Sequence, residues 1–220
     1  MAVDFKRSNV AVGPHQLDGD FFWPTQPFGL IIFAHGSGSS RFSPRNVFVA
    51  ESLVARGFAT LLFDLLLAEE AQDRRNVFDI ALLATRLEEA IAWASRQCEF
   101  GDLPICLFGA STGAAAALLA AAHETTTISA VVSRGGRPDL AAEALPYVIA
   151  PTLLIVGGFD EEVLQLNRWA LQRLRCEARL DVVPGATHLF EEPGKLEQVA
   201  EIAGTWFAEH VPNAAKNPNR

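Results

Sequence analysis

The sequence predicts an α/β protein built on an open, mostly parallel sheet with helices on both faces. Two observations support this fold class. Short apolar runs alternate along the chain with longer segments of helical periodicity, and most of these runs are apolar throughout. Strands that are covered on both faces need such unbroken apolar sequence. The alternation itself is typical of parallel sheets, because parallel neighbours need a helical crossover between them.

Six runs are predicted to be buried strands, each bounded on at least one side by Gly, Pro, Asp or Ser. They are residues 28–34, 58–63, 104–108, 129–133, 151–156 and 179–183. The helical patterns are residues 46–56, 76–97, 113–123, 161–175 and 196–210. Two weaker extended segments, 9–12 and 20–23, flank the turn signal Asp18-Gly19. They predict an antiparallel hairpin at one edge of the sheet.

Length and composition fit one domain better than two. The 220 residues are 50% hydrophobic and 20% charged, which is ordinary for a globular chain that can bury a sizeable core. We predict a single domain over residues 1–213 and a loose tail at 214–220. Only residues 134–150 separate the fourth predicted strand from the fifth, which leaves no room for a large cap domain.

The net charge and the cysteine content bear on the partners and the cellular compartment to be expected. The net charge of −8 disfavours binding to nucleic acid or to an anionic membrane. Three cysteines (Cys98, Cys106 and Cys176) cannot all pair, which favours a reducing compartment. Residues 1–10 lack the apolar core of a signal peptide, and proline and glycines interrupt the uncharged stretch 103–122. We expect a cytoplasmic protein, monomeric or homodimeric, with no nucleic-acid or membrane partner.

The residues that follow each strand are the candidates for chemistry, because open α/β sheets bind ligands beyond the carboxyl ends of their strands. Three of these ends supply a serine, an aspartate and a histidine. Ser111 lies in Gly-Ala-Ser-Thr-Gly between a strand and an Ala-rich helix, Asp160 follows Gly-Gly-Phe, and His188 follows Gly-Ala-Thr. A serine that attacks a carbonyl must project from such a tight turn, where glycines let neighbouring backbone approach.

These three residue types together can perform nucleophilic catalysis. A serine hydroxyl needs a base, and the base needs a third group that holds its tautomer. We predict Ser111 as nucleophile, His188 as base and Asp160 as the orienting acid, with Asp139 in reserve. Each also has a plainer explanation: Ser111 and Asp160 can cap the helices that follow them, and His188 can be a polar loop residue.

Acyl transfer also builds an oxyanion, which needs preorganised N–H donors. We expect these donors to be the backbone N–H groups of Ser37 and Thr112, whereas His35 is expected to make structural hydrogen bonds. Arg41 and Arg134 are candidates for binding an anionic substrate. The alternative for these arginines, as for the nearby Arg45 and Arg137, is pairing with carboxylates or exposure to solvent.

On these motifs the sequence resembles the α/β-hydrolase superfamily over nearly its full length, and within it the dienelactone-hydrolase-like group. The stretches that carry the resemblance are His-Gly-Ser-Gly-Ser-Ser-Arg at 35–41, Gly-Ala-Ser-Thr-Gly at 109–113, Ser-Arg-Gly-Gly-Arg-Pro-Asp at 133–139, Gly-Gly-Phe-Asp at 157–160 and Gly-Ala-Thr-His at 185–188. The resemblance implies a sheet of about eight strands and a triad of Ser111, His188 and Asp160 in the superfamily's chain order.

One departure from that group changes the expected substrate. Dienelactone hydrolases proper carry a cysteine nucleophile and a gating glutamate near the oxyanion hole. Here Ser111 stands at the nucleophile position, and the loop at 35–38 contains no glutamate. We therefore expect a hydrolase of small carboxylic esters or lactones that works through an acyl-enzyme and needs neither cofactor nor metal.

The sequence is also compatible with other functions. A thioesterase or acyltransferase would use the same residues. A dinucleotide-binding module is a rival, since Gly36-x-Gly38 follows a strand, but Arg41 replaces the third glycine of that fingerprint. The other rival is a non-catalytic α/β module that binds a ligand through the 35–41 loop.

Overall fold

The protein is described by a computed structural model over residues 5–97, 100–123 and 128–211. Eight strands form one sheet in the order β1-β2-β4-β3-β5-β6-β7-β8. They are β1 (Lys6–Val12), β2 (Leu17–Trp23), β3 (Leu30–Ala34), β4 (Ala59–Phe63), β5 (Ile105–Ala110), β6 (Ile128–Arg134), β7 (Thr152–Gly157) and β8 (Ala178–Val183). The β1–β2 hairpin lies at one edge, β2 pairs antiparallel with β4, and all other neighbours are parallel. The predicted hairpin is present, but its turn is at residues 13–16, and the predicted turn residues Asp18 and Gly19 lie within β2. The predicted fold class is confirmed, while the tail predicted at 214–220 lies outside the described residues.

Helices cover both faces of the sheet. They are α1 (Pro44–Ala55), α2 (Arg74–Val77), α3 (Ile80–Ala94), α4 (Thr112–Ala122), α5 (Glu161–Leu171) and α6 (Lys195–His210). The apolar sides of α3, α4 and α5 pack into one core, and those of α1 and α6 pack into the core on the opposite face. The five inner strands β3 to β7 are buried on both sides, which explains their almost unbroken apolar sequence. The edge strand β8 is only partly buried, so the prediction of a buried strand at 179–183 is wrong about its burial.

The helix predicted at 76–97 is wrong in one respect, since the structure divides this region into α2 and α3. The carboxylate of Asp79 accepts the N–H of Leu82 at 3.0 Å and begins α3 at Ile80. A side-chain cap of this kind ends the preceding turn, because the capping residue adopts non-helical backbone angles. The apolar spacing continues through this break and therefore conceals it.

The carboxyl-terminal side of the sheet is open above β6. Residues 134–150 form two short 3-10 turns, Pro138–Ala141 and Leu145–Tyr147, and there is no large cap domain. Among the described residues, no helix has both the length and the apolar character that crossing a membrane requires.

The strand order locates the crevice of the sheet. From β3 the chain moves outward to β4, and then α3 carries it back across β3 to β5. The loops after β3 and β5 therefore leave in opposite directions, and such a reversal is where doubly wound sheets bind ligands. Ala34 pairs with Gly109 at the ends of these two strands, so the 35–41 loop and the turn containing Ser111 lie side by side.

Gly113 allows this close approach and supplies a test of the fold. A Cβ at Gly113 would lie 2.2 Å from the carbonyl oxygen of Ala34 and 2.4 Å from that of His35. Helix propensity alone favours alanine over glycine by up to ~1 kcal/mol, but these contacts are with backbone that cannot rotate away. We expect Gly113→Ala to lower the free energy of unfolding by about 3 kcal/mol, as measured by urea denaturation.

Gly38→Ala is the matched control. Its Cβ would meet nothing within 4 Å, although the φ of Gly38 is +71°. Only the strain of the left-handed region should appear there, about 1–2 kcal/mol. A Gly113→Ala variant as stable as Gly38→Ala would contradict the packing of α4 against β3.

Candidate active site

Ser111 occupies a strained turn between β5 and α4. Its φ of 52° and ψ of −119° lie in a region that residues with a side chain rarely adopt. A Cβ at Gly109 would lie 2.4 Å from Cα of Ala114, so the turn needs its glycines. Ser111 precedes α4, yet its side chain makes no capping hydrogen bond. The hydroxyl is therefore not used by the helix.

His188 and Asp160 are joined by a short hydrogen bond. The Nδ1 atom of His188 lies 2.6 Å from Oδ2 of Asp160, and the Asp160 side chain is only 14% exposed. Asp160 precedes α5 but makes no side-chain cap, because its carboxylate is directed to the imidazole. Engagement of Nδ1 leaves Nε2 as the imidazole nitrogen available for chemistry. Ser111 and His188 both line a cleft of about 250 Å³.

Asp139, the reserve candidate for the acid, has a different partner. The guanidinium of Arg137 holds its carboxylate in a two-bond fork, with N···O distances of 2.9 and 2.7 Å. The structure therefore brings Asp160, and not Asp139, to His188. The backbone N–H of Arg137 also donates to the carbonyl oxygen of Ser111 at 3.1 Å, which braces the strained turn.

The loop after β3 lies directly against this turn. A Cβ at Gly36 would lie 3.1 Å from both the carbonyl oxygen of Ala110 and Cβ of Ser111. The backbone N–H of Ser37 donates to Oγ1 of Thr112 at 2.8 Å. The two predicted oxyanion donors thus lie together, but the Ser37 amide is already engaged by the Thr112 side chain, a contact that the sequence does not predict. Only the fold brings the Thr112 hydroxyl to a loop 75 residues away.

His35, at the start of the same loop, makes hydrogen bonds that connect the loop to the segment after β4. Its Nε2 accepts the N–H of Leu65 at 3.2 Å, and its Nδ1 lies 3.0 Å from the carbonyl oxygen of Gly36. Burial lowers the pKa of His35, which favours the neutral ring that these two contacts require. The contacts agree with the structural role predicted for His35.

The structure separates the two arginines proposed to bind substrate. Arg41 forms ion pairs with Asp18, Asp20 and Asp64, so carboxylates of the protein take up its charge. It lines a neighbouring cavity and not the cleft of Ser111. Arg134 lines the cleft itself and is 7% exposed. Burial, followed by the charge of Arg45, lowers the pKa of Arg134 to about 10, which still leaves it protonated at neutral pH.

The described cysteines lie outside the cleft. Cys106 is fully buried within β5, and Cys176 is half-buried. Burial raises the pKa of both thiols, so neither has the thiolate character of a nucleophile. Cys98 lies outside the described residues.

Among the described residues, no group of three or more His, Cys, Asp or Glu side chains is arranged to hold a metal ion.

A larger cavity of about 540 Å³ lies on the other side of the 36–39 loop. It shares Gly36, Ser37 and Ser39 with the cleft, but neither Ser111 nor His188 lines it. Its wall is partly apolar, through Leu17, Leu65, Leu66, Leu67, Val77 and Leu83. The two spaces meet at the loop that carries the Ser37 amide.

Comparison with known proteins agrees with this architecture. Residues 28–206 match the model of the alpha/beta hydrolase domain. The chain belongs to the alpha/beta hydrolase family. A crystal structure of a dienelactone hydrolase from Anabaena variabilis is 50% identical, with a TM-score of 0.90, over 96% of this chain and 100% of that one. This hydrolase is thus dienelactone-hydrolase-like, as the sequence motifs predict.

More distant structures share the fold alone. Est1E from Butyrivibrio proteoclasticus is 17% identical with a TM-score of 0.76, over 93% of the hydrolase and 98% of that chain. The esterase domain of a Rhodothermus marinus protein is 20% identical with a TM-score of 0.74, over 94% and 99%.

Two curated proteins from strains of Mycobacterium tuberculosis are closer in sequence but much longer. Each is 57% identical to the hydrolase over 202 residues and carries a phosphoribosyl transferase name. The match covers 92% of this chain and 46% of each relative. The hydrolase thus spans about half the length of these relatives.

Proposed function

We propose that this hydrolase cleaves small carboxylic esters or lactones through an acyl-enzyme on Ser111. The observation that supports this most strongly is the 2.6 Å hydrogen bond between His188 and Asp160, made beside the strained turn of Ser111. A serine freed from capping, a base and an orienting carboxylate are the groups that nucleophilic acyl transfer requires. The name of the 50% identical structure, a dienelactone hydrolase, supports the same class of reaction.

In the first step, Oγ of Ser111 attacks the carbonyl carbon and Nε2 of His188 accepts the hydroxyl proton. Asp160 stabilises the imidazolium that forms and keeps Nδ1 protonated. The tetrahedral intermediate collapses when its C–O bond to the alcohol breaks, and the imidazolium returns its proton to the departing oxygen. A water molecule then attacks the acyl-enzyme with the same base, which releases the acid and restores Ser111.

The developing oxyanion is stabilised by the loop and by the start of α4. The N–H of Thr112 lies at the first turn of α4, where N–H groups have no partner within the helix. The N–H of Ser37 is held by the Thr112 hydroxyl at rest. There are two ways for this pair to serve the oxyanion. If the Thr112 side chain rotates, the Ser37 N–H becomes free to donate to the oxyanion. If it stays in place, the Thr112 hydroxyl can donate its own proton instead.

The surroundings of Ser111 favour small substrates. The cleft has a volume of about 250 Å³, and no large cap domain is present to enclose a long acyl chain of a substrate. The larger cavity next to the 36–39 loop is the space for a bulkier apolar group. We expect the enzyme to be cytoplasmic, since Cys106 and Cys176 are free thiols and free thiols favour a reducing compartment. We also expect a small-molecule substrate and no nucleic-acid or membrane partner.

The phosphoribosyl transferase name of the tuberculosis relatives leads to a separate inference. The chain matches 46% of those proteins, and this half belongs to the alpha/beta hydrolase family. We infer from the hydrolase match of this half that the reaction of this chain is the ester hydrolysis proposed above, and phosphoribosyl transfer is not proposed for it.

A fluorophosphonate probe tests the proposed function directly. We expect it to modify Ser111 alone among the serines, as located by peptide mass spectrometry, because among the described serines this is the hydroxyl for which a base and oxyanion donors are proposed. Turnover of p-nitrophenyl acetate and butyrate should exceed that of the octanoate ester, since the cleft is small. A protein that is not labelled and hydrolyses none of these esters would instead be a binding module of the 35–41 loop.

A further inference from the structure

Arg134 is a buried cation whose side chain lacks a carboxylate partner within the described residues. It ends β6 on the face where Ala130 and Val132 pack against α1 and α6, and it emerges into the cleft beside Ser111. The residue is 7% exposed and therefore more than nine-tenths buried. Its Nη1 atom is buried without any hydrogen-bond partner. Arg137, close by in sequence, has instead a two-bond contact with Asp139.

A second guanidinium stands near the first. Arg45, in the first turn of α1, lines the same cleft, and its charge contributes to the lowered pKa of Arg134. Its Nη1 donates to Glu191 at 3.0 Å, but its Nε is buried without a partner. The side chain of Glu191 is 62% exposed, so the surrounding water weakens its attraction for Arg45. None of the described residues that line the cleft is acidic.

Two cations in one cleft, one of them deeply buried, are costly for the folded protein alone. A buried charge without a partner loses its hydration and gains nothing in return. Planar guanidinium groups match the paired oxygens of carboxylate and phosphate, and such charge-assisted bonds are the strong ones. An oxyanion between these side chains would supply the missing acceptors for Nη1 of Arg134 and Nε of Arg45.

We propose that Arg134 and Arg45 form a subsite for a carboxylate or phosphate group of the substrate, so that the enzyme prefers acidic esters. This inference rests on the proposed ester hydrolysis and adds the chemical class of the substrate. The anionic group binds beside Ser111 while the scissile carbonyl lies over the hydroxyl. Arg41 has no part in the subsite, because three carboxylates of the protein already surround it.

The test compares a neutral and an acidic ester of similar size, p-nitrophenyl butyrate and mono-p-nitrophenyl glutarate. We expect Arg134→Gln to reduce kcat/KM for the glutarate ester by 10- to 100-fold, mainly through KM, and to change the butyrate value less than about threefold. Arg134→Lys should restore part of the loss, because it keeps the charge without the fork. Arg56→Gln is the matched control: Arg56 pairs with Glu201 at the other end of α1, and both esters should keep their rates.

Equal losses on both esters, or no loss on either, would overturn the subsite while leaving ester hydrolysis in place. If neither ester is turned over, the proposed function fails, and the subsite is then tested separately by measuring anion binding. Succinate or inorganic phosphate should then raise the melting temperature of the wild type and not that of Arg134→Gln. The anion that gives the larger increase shows whether the subsite binds a carboxylate or a phosphate. A wild type that responds to neither anion refutes the subsite. If Arg134→Gln does not fold, Arg45→Gln, at a side chain 31% exposed, carries the same comparisons.

Discussion

Ser111→Ala is expected to lower kcat for p-nitrophenyl butyrate by at least about a thousandfold. The acyl-enzyme needs the Ser111 oxygen, and the neighbouring Thr112 hydroxyl is not expected to replace it, since its Oγ1 accepts the N–H of Ser37. The folded state should be unaffected, because the Ser111 hydroxyl makes no capping bond to α4. Steady-state kinetics together with urea unfolding of the same preparation separate the two effects.

The strained backbone supplies a second readout at the same position. Ser111 has a φ of 52°, which costs a residue with a side chain about 1 kcal/mol and costs glycine almost nothing. Ser111→Gly should therefore be inactive yet more stable than the wild type by about that amount. The control is Ser52→Ala on α1, whose exposed hydroxyl donates to the carbonyl of Phe48 and lies away from the cleft. A Ser111→Ala enzyme within tenfold of the wild-type rate would refute the acyl-enzyme.

Asp160→Asn is expected to reduce kcat by about a thousandfold or more. The carboxylate of Asp160 accepts from Nδ1 of His188 at 2.6 Å, and this keeps the proton on Nδ1 and leaves Nε2 as the base. A neutral amide of the same shape can donate instead, which favours the wrong imidazole tautomer and leaves the developing imidazolium without a counter-charge. The rate measurement is made with the same butyrate ester, alongside a melting temperature.

Asp139→Asn is the matched control for this charge change. Asp139 lies near the same end of the sheet, but its carboxylate is bound by Arg137, so its loss should change kcat less than about threefold. If the two variants lose equal activity, or Asp139→Asn loses more, Asp160 does not orient the base. Both substitutions remove one negative charge, so overall electrostatics cannot explain a difference between them.

Much of the architecture is evident from local features of the sequence. Strands buried on both faces need continuous apolar residues, and the turn at Ser111 needs the glycines of Gly-Ala-Ser-Thr-Gly. These requirements are local, so the alternation of strands and helices and the Gly-rich loops after β3 and β5 can be predicted without coordinates. The break before α3 is the exception, because the cap at Asp79 lies within an uninterrupted apolar period.

The sequence by itself determined the fold class, the hairpin at the sheet edge and the strand ends at which chemistry is expected. The tertiary structure alone decided which side chains meet. It directed Asp160 rather than Asp139 to His188, engaged the Ser37 amide with the Thr112 hydroxyl, surrounded Arg41 with carboxylates, and left Arg134 unpaired in the cleft. The physical reason is one of range: strand and turn formation depend on neighbouring residues, whereas a hydrogen bond or ion pair between distant loops depends on how the packed sheet orients each side chain.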